Sequence, residues 1–392
     1  MNAPFTAPKR VLLALGSLEG GGAERVALNL VHGCDARRLD LSLALLRRDG
    51  AYLSDIDPRR IVGPVHRGRG LLDALRAPRD LARMIADARP EVVMSFGLGV
   101  NLAVWVALAA SPGLRPYWIC REDSNIWAEI DNLTASGPIR SLLRALVRRI
   151  HRRADCVLAV AEDLGGRLAR ETPGATTRVI HNPIDLDAIA AAARRSPPET
   201  PTRPFIVAAG RLVRQKGFDL LIDAYASCLE AREFELVILG EGPLEADLKR
   251  RAQALGVGAV VRFVGFQANP WAWFARARLF VLPSRWEGFG NVVAEAMACG
   301  APVLVSDCDF GPREQVVHGV SGWVAQPDAL AAAMSRLLSD DALCERLANA
   351  GRARAQDFAV PAVIEAYDRL FLGRPAAEPA PAHQPSPVAA IS

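Results

Sequence analysis

Two glutamates eight residues apart, Glu287 and Glu295, mark the stretch of this chain best equipped for chemistry. The apolar run Leu279 to Leu282 predicts a strand that enters a loop with Glu287 at its crest. Gly288 and Gly290 allow backbone to approach backbone or ligand closely. A helix is predicted to start near Asn291, to carry Glu295 and to end at Gly300 and Pro302. A helix N-terminus, whose free N–H groups and positive dipole end attract phosphate, thus lies between two carboxylates. A ligand with a diphosphate in its middle and hydroxyls at both ends suits that pattern.

The segment Ser284-Arg285-Trp286-Glu287-Gly288-Phe289-Gly290 with Glu295 resembles the signature of the retaining glycosyltransferases of family 4, which have the GT-B fold. The resemblance runs from Gly20 to about Leu370 and is densest over residues 205–325. It implies an α/β protein with two Rossmann-like doubly wound domains facing a central cleft, and a C-terminal helix crossing back to the first. It implies a nucleotide-sugar donor, UDP-linked, with Glu287 facing the donor sugar and Glu295 on the ribose hydroxyls. Gly210-Arg211-Leu212-Val213-Arg214-Gln215-Lys216-Gly217 then matches the diphosphate-binding loop, with Arg211 and Lys216 as its cations. Negative charge grows on the leaving diphosphate, and two cations beside a helix N-terminus stabilise it without a metal. Lys216 is one of three lysines among 47 basic residues, a mild sign that an ammonium is wanted there. The expected catalytic set is Arg211, Lys216 and Glu287. The expected donor-binding set is Gly22, Gly210, Phe289, Gly290, Asn291, Val292 and Glu295. No metal and no cofactor are implied.

Around these motifs the sequence repeats one grammar. Phe205–Ala209, Leu236–Leu239, Val260–Val264, Leu279–Leu282 and Val303–Ser306 are apolar runs, each followed by Gly or Pro and then a helical segment. This predicts a parallel sheet with its ligand at the carboxyl ends of the strands. The first half reads the same way, with strands at Arg10–Gly16, Leu41–Leu46, Val92–Phe96, Tyr117–Cys120, Val157–Val160 and Arg178–His181. Gly20-Gly21-Gly22 before a helix lacks the third glycine of a dinucleotide fingerprint and reads as a phosphate-facing loop at the cleft. The expected organisation is an acceptor-side domain over 1–190 joined by a crossing helix at 357–373. A Pro-rich linker spans 191–204, the donor-side domain spans 205–356, and a disordered Pro/Ala-rich tail spans 374–392.

Many relatives carry a histidine near the reacting sugar after the strand at Tyr117. This chain has none there, and Arg121 and Asn125 are the nearest polar candidates on the acceptor side. Pro138 to Arg153 is amphipathic, with Ile139, Leu142, Leu143, Leu146, Val147 and Ile150 on one face. Arg140, Arg144, Arg148 and Arg152 line another, with Arg149 and Arg153 beside them and no acid in the stretch. Like charges at i,i+4 weaken a helix by a few tenths of a kcal/mol per pair. An external anion is therefore expected: an anionic leaflet or the diphosphate of a lipid-linked acceptor.

Bulk properties narrow the rest. Residues 1–200 hold 28 basic and 22 acidic residues, and the remainder 19 and 21, so a modest positive excess lies in the first half. It is too small for a dedicated nucleic-acid binder. Seven scattered cysteines without a C-x-x-C pair fit a reducing cytoplasm. The uncharged run Val92 to Leu114 reads as strand, turn and helix, since Gly97, Gly99 and Asn101 break it. Asp307-x-Asp309 and Asp309-Phe310-Gly311 imitate metal and kinase motifs without their required context. Gly311-Pro312-Arg313-Glu314 matches a segment common in relatives that act on lipid-linked glycans. The expected protein is a glycosyltransferase of cell-surface polysaccharide synthesis, cytoplasmic and peripheral at the inner membrane face. Its expected acceptor is a glycan, polyprenyl-diphosphate-linked. A GT-B sugar-nucleotide epimerase and a non-catalytic nucleotide-sugar sensor remain as alternatives.

Overall fold

The computed structural model describes residues 7–63, 71–197, 199, 201 and 203–373. The expected tail lies outside these residues, as does part of the expected linker. The apolar runs of the first half form seven strands: β1 (Lys9–Leu15), β2 (Leu39–Leu45), β3 (Ile61–Val62), β4 (Val92–Phe96), β5 (Tyr117–Glu122), β6 (Cys156–Ala159) and β7 (Thr177–Val179). Those of the second half form β8 (Phe205–Ala209), β9 (Glu235–Leu239), β10 (Val261–Phe263), β11 (Leu279–Leu282), β12 (Val303–Ser306) and β13 (Trp323–Ala325). The sheet orders are β3-β2-β1-β4-β5-β6-β7 and β10-β9-β8-β11-β12-β13. Every strand pairing within the two sheets is parallel.

Strand direction in a parallel sheet is possible only with crossovers, and helices therefore cover both faces. On the first sheet, alternate residues Val11, Leu13 and Leu15 pack with Val26 and Leu30 of helix Gly22–Gly33. Leu12 and Ala14 face the other way, toward Leu81 and Ile85 of helix Leu71–Ala88. This is the two-domain, doubly wound architecture expected. The order of each sheet reverses between β1 and β4, and between β8 and β11. Open α/β sheets bind ligands at such switch points. Both motif loops of the second domain, Gly210–Gly217 after β8 and Pro283–Gly290 after β11, start there.

Two short edge strands, β3 and β13, were invisible in the sequence because two or three residues carry no usable period. Helix Leu186–Ala193 extends into the stretch expected to be linker, since its alanines are good helix formers. Helix Val360–Leu372 returns to the first domain. Ile184 and Ala359 form a parallel bridge, and Val363, Tyr367 and Phe371 join the core of the first sheet. The run Val92 to Leu114 resolves into β4 and helix Leu98–Ala110. No described helix is long and apolar enough to cross a membrane.

The domains touch across the cleft through polar contacts. Glu314 of the second domain accepts from the backbone N–H groups of Glu162 and Asp163, both at 2.8 Å, and so caps helix Glu162–Glu171 of the first. His181 Nε2 lies 3.2 Å from the same carboxylate, and its ring packs against Phe289 and Phe358. Burial pushes the Glu314 carboxyl up, but His181 and the two amides outweigh it and hold it below the ordinary value of 4.5. A depressed carboxylate contributes stability above its unfolded pKa and loses it as pH falls through the folded one. Glu314→Ala is therefore expected to destabilise the protein by about 1–2 kcal/mol, the range for a lost helix cap. Chemical denaturation at pH 7 and below pH 4 checks this: the gap between wild type and variant should shrink in acid.

Candidate active site

At the head of the cleft, Glu287 is buried and accepts from Lys216 Nζ and from Ser284 Oγ, both at 2.6 Å. The local sequence makes this contact possible. Gly217 has φ +64, and a Cβ there would lie 2.1 Å from the Pro283 carbonyl, so only glycine lets the two loops meet. The Lys216 stem lies across Gly210, where a Cβ would come within 3.2 Å of it. Gln215 and Arg285 tie the same loops: Arg285 N–H donates to the Gln215 carbonyl, and Gln215 Nε2 donates to the Trp286 carbonyl. Arg211 is exposed, and its side chain makes no hydrogen bond or ion pair among the described residues, but its charge reaches Glu24 and Glu129 of the first domain.

Helix Asn291–Cys299 starts after Gly290, which has φ +81. The Gln315 side chain takes the Ala294 amide at 3.0 Å, while the amides of Asn291 and Val292 make no hydrogen bond among the described residues. The helix thus keeps the free donors that an anion needs. Asn291 bridges the domains: its Nδ2 donates to the Gly22 carbonyl at 3.3 Å, and its Oδ1 accepts from Asn182 Nδ2 at 2.7 Å. One turn on, Glu295 accepts from Trp271 Nε1 at 3.0 Å. Burial raises the Glu295 carboxyl, opposed by Arg25 and by that hydrogen bond. The Arg25 guanidinium lies 4.9 Å from the Trp271 ring and 4.2 Å from Tyr52. A cavity of about 160 Å³ opens here, lined among others by Arg25, Asn29, His32, Asp185, Trp271 and Glu295.

Several expected site residues are elsewhere or otherwise engaged. Phe289 is buried against His181 and Phe358, so only its backbone borders the loop. Arg121 is 0% exposed, ion-paired to Asp123, bonded to Asn182 Oδ1 at 2.6 Å and stacked over Phe96. It cannot meet an acceptor at the surface. Asn125 is also buried; its Oδ1 accepts from the Ala128 amide and caps helix Ile126–Leu133. Both were misread because a polar residue after a strand looks the same whether it faces a cleft or closes a turn. The amino end of helix Gly22–Gly33 is filled by its own Glu24, whose carboxylate folds back over Gly21.

On helix Gly137–His151, Arg144 pairs with Asp131 at 2.7 Å and Arg148 with Glu171 at 2.9 Å. The protein itself thus supplies part of the expected compensation, from acids distant in sequence. Arg140 has no such partner among the described residues. Arg25, Asn182, Trp271 and Ser284 were missed as site residues, although Ser284 lies inside the motif. Among the described residues one set of potential metal ligands converges, Cys120, Glu122 and His151, buried in the first domain. Glu122 Oε1 already accepts from Asn101 Nδ2 at 3.0 Å and lies 3.0 Å from His151 Nε2.

Two facing parallel α/β domains with a cation loop and a carboxylate–helix motif at the switch point define a GT-B glycosyltransferase. A profile described as Glycosyltransferase Family 4 matches residues 20–188, and one described as Glycosyl transferases group 1 matches residues 190–354. The chain is 34% identical over 362 residues to the lipopolysaccharide core biosynthesis glycosyltransferase LpsD of Rhizobium meliloti, covering 90% of this chain and 95% of that one. The chain belongs to the family 4 glycosyltransferases. It is 32% identical over 183 residues, 46% of this chain and 49% of the relative, to a Campylobacter jejuni N-acetylgalactosamine-N,N'-diacetylbacillosaminyl-diphospho-undecaprenol 4-alpha-N-acetylgalactosaminyltransferase. The fold superposes on Anabaena HepE, solved in complex with UDP and glucose, with a TM-score of 0.74 at 20% identity, covering 93% of this chain and 100% of that one.

The positions of the two glutamates predict different losses. Glu287→Ala should lower kcat by about 100-fold with donor KM little changed, since it strips the ammonium of its anion at the cleft head. Glu295→Ala should mainly raise donor KM, by about 10-fold. Steady-state kinetics with saturating acceptor separates the two.

Proposed function

We propose that this protein transfers a hexosyl or N-acetylhexosaminyl group, with retention, from a UDP-linked sugar to a glycan acceptor in bacterial lipopolysaccharide or related surface-polysaccharide synthesis. The observation that carries the proposal is the cluster at the switch point of the second domain. Lys216 is fixed by Glu287, Arg211 lies free beside it, and two unsatisfied helix amides, Asn291 and Val292, are on the same rim. Two cations and a helix N-terminus match the charge that grows on a leaving diphosphate. No metal is needed for that stabilisation. The lipopolysaccharide role of LpsD supports the polysaccharide setting, and the UDP bound to HepE supports the uridine donor. An epimerase or a sensor would use the same donor site, but neither would consume an acceptor.

A lipid-linked acceptor at the membrane is favoured by a second observation. Where helix Ile126–Leu133 meets helix Gly137–His151, Leu133 is 69% exposed, Ile139 50% and Leu142 69%. Residues 131–153 carry six arginines and one acid. An apolar tip inside a basic surround suits the anionic cytoplasmic leaflet, where each arginine is worth about 1 kcal/mol. Arg214 Nη1 reaches Asn132 at 3.3 Å, so this corner overhangs the donor loop. An acceptor whose lipid remained in the leaflet would present its glycan near the cleft. The undecaprenol-linked substrate named for the Campylobacter relative agrees with this setting.

Incubation with UDP-glucose, UDP-galactose, UDP-N-acetylglucosamine and GDP-mannose is expected to give slow hydrolysis of at least one UDP-sugar, unaffected by a chelator. No hydrolysis of any donor, or abolition by the chelator, would count against the donor reading. Leu133→Ser with Leu142→Ser should release the protein from anionic vesicles at low salt while leaving donor hydrolysis intact. Wild-type sedimentation of that variant would remove the membrane reading.

A further inference from the structure

The cavity beside Glu295 is lined by two charged side chains from opposite domains. Arg25 comes from helix Gly22–Gly33 of the first domain, and Glu295 from helix Asn291–Cys299 of the second. The Arg25 charge acts on the Glu295 carboxyl, yet no ion pair joins them among the described residues. Each is held by a neighbour instead. Arg25 Nη2 donates to the Tyr52 hydroxyl at 2.6 Å, and the guanidinium carbon lies 4.2 Å from the centre of the Tyr52 ring and 4.9 Å from that of Trp271. The Tyr52 hydroxyl in turn donates to the Gly20 carbonyl at 3.4 Å. Trp271 Nε1 donates to Glu295 Oε2 at 3.0 Å.

Both groups keep hydrogen-bonding capacity. A guanidinium carries several N–H donors, and both oxygens of a carboxylate accept. Among the described residues the Arg25 side chain spends one donor, on Tyr52, and Glu295 Oε1 accepts nothing. Other polar side chains of the lining are committed: Asn29 Nδ2 donates to the Pro183 carbonyl at 2.8 Å, and Asp185 caps helix Leu186–Ala193. At about 160 Å³ the cavity is smaller than the ~300–1,000 Å³ of a pocket for a whole ligand, so it takes one part of a ligand. Glu295 lies one turn beyond the free amides of Asn291 and Val292, about 6 Å along the helix axis. That is the step from a nucleotide's phosphate to its ribose hydroxyls. We propose that Arg25 is a specificity-determining residue of the donor site: with Glu295 it grips the 2′,3′-diol of the nucleotide's ribose from the two sides of the cleft, and Trp271 positions Glu295. This rests on the glycosyl-transfer reading above.

A vicinal diol is a neutral group that satisfies both side chains. Its O–H groups donate to the carboxylate, and its oxygen lone pairs accept from the guanidinium. A phosphate in the same place would be repelled by Glu295, and an ammonium by Arg25. Burial raises the Glu295 carboxyl, and Arg25 is the strongest of the influences that oppose it, which favours the ionised, accepting form. Tyr52 fixes the guanidinium before a ligand arrives, so little side-chain freedom is lost on binding. The first domain thereby reads the nucleotide directly. A nucleotide without the hydroxyls leaves a charged group unpaired on each side of the cleft.

Titration calorimetry with UDP and with 2′,3′-dideoxy-UDP tests this. A hydrogen bond to a charged group is worth about 10-fold in affinity, so wild type should prefer UDP by about 100-fold and Arg25→Ala by about 10-fold. Alanine suits a helix, so the fold should survive the change. Tyr52→Phe keeps the ring but removes the hydroxyl that holds Arg25, and should give an intermediate preference. With a UDP-sugar, Arg25→Ala should raise donor KM by about 10-fold and leave kcat within about 3-fold. Equal weakening of UDP and the dideoxy nucleotide in Arg25→Ala overturns the proposal, since a residue that only packs the domains together gives that result. So does an Arg25→Ala variant that binds both like wild type, or a wild type that does not distinguish the two. Wild type that binds no UDP would instead overturn the glycosyl-transfer reading on which this rests.

Discussion

The second domain of this molecule depends on one largely buried contact, the Lys216 ammonium against the Glu287 carboxylate. Lys216 and Glu287 are 71 residues apart, on the loops that follow β8 and β11. Burying either charge alone costs several kcal/mol, and removing one partner of such a pair costs about 3–5 kcal/mol. The contact therefore fixes the relation of the two loops as well as the position of a cation. Ser284 satisfies Glu287 further, and glycine is required at 217 because any side chain there would push the loops apart, while a side chain at 210 would crowd the Lys216 stem. Arg211, in contrast, is left without a bonded partner, which leaves its charge available to a ligand.

A second constraint is imposed from the other domain. Asn291 at the head of the motif helix is gripped by Asn182, which in turn accepts from the buried Arg121, whose own charge is answered by Asp123. This chain of contacts runs from the interior of the first sheet to the amino end of the motif helix. Glu314 and His181 tie the far side of the cleft. Polar contacts at the lips of the cleft thus join the apolar packing of helix Val360–Leu372 on the first sheet in holding one domain on the other.

Much of this was legible in the sequence. Parallel sheets are buried on both faces, so their strands read as unbroken apolar runs, and eleven of the thirteen strands could be placed from that pattern alone. The motif loops were legible because backbone geometry dictates glycine and helix punctuation at fixed spacing. What could not be read was the fate of polar side chains whose partners are distant in sequence. Arg121 and Asn125 looked like cleft residues, yet one is an interior cation and the other a helix cap. Periodicity gave helix Gly137–His151 its arginine face, but the partners Asp131 and Glu171 come from outside the helix.

The central claim is that the cations of the Gly210–Gly217 loop act on the leaving diphosphate rather than on the bound donor alone. Single-turnover rates and UDP-sugar affinity for Lys216→Ala, measured side by side, test this most directly. The account predicts a fall of at least ~100-fold in the rate with a change in affinity of less than about 10-fold, the signature of charge stabilisation made mainly in the transition state. A wild-type rate, or a loss confined to affinity, would contradict it.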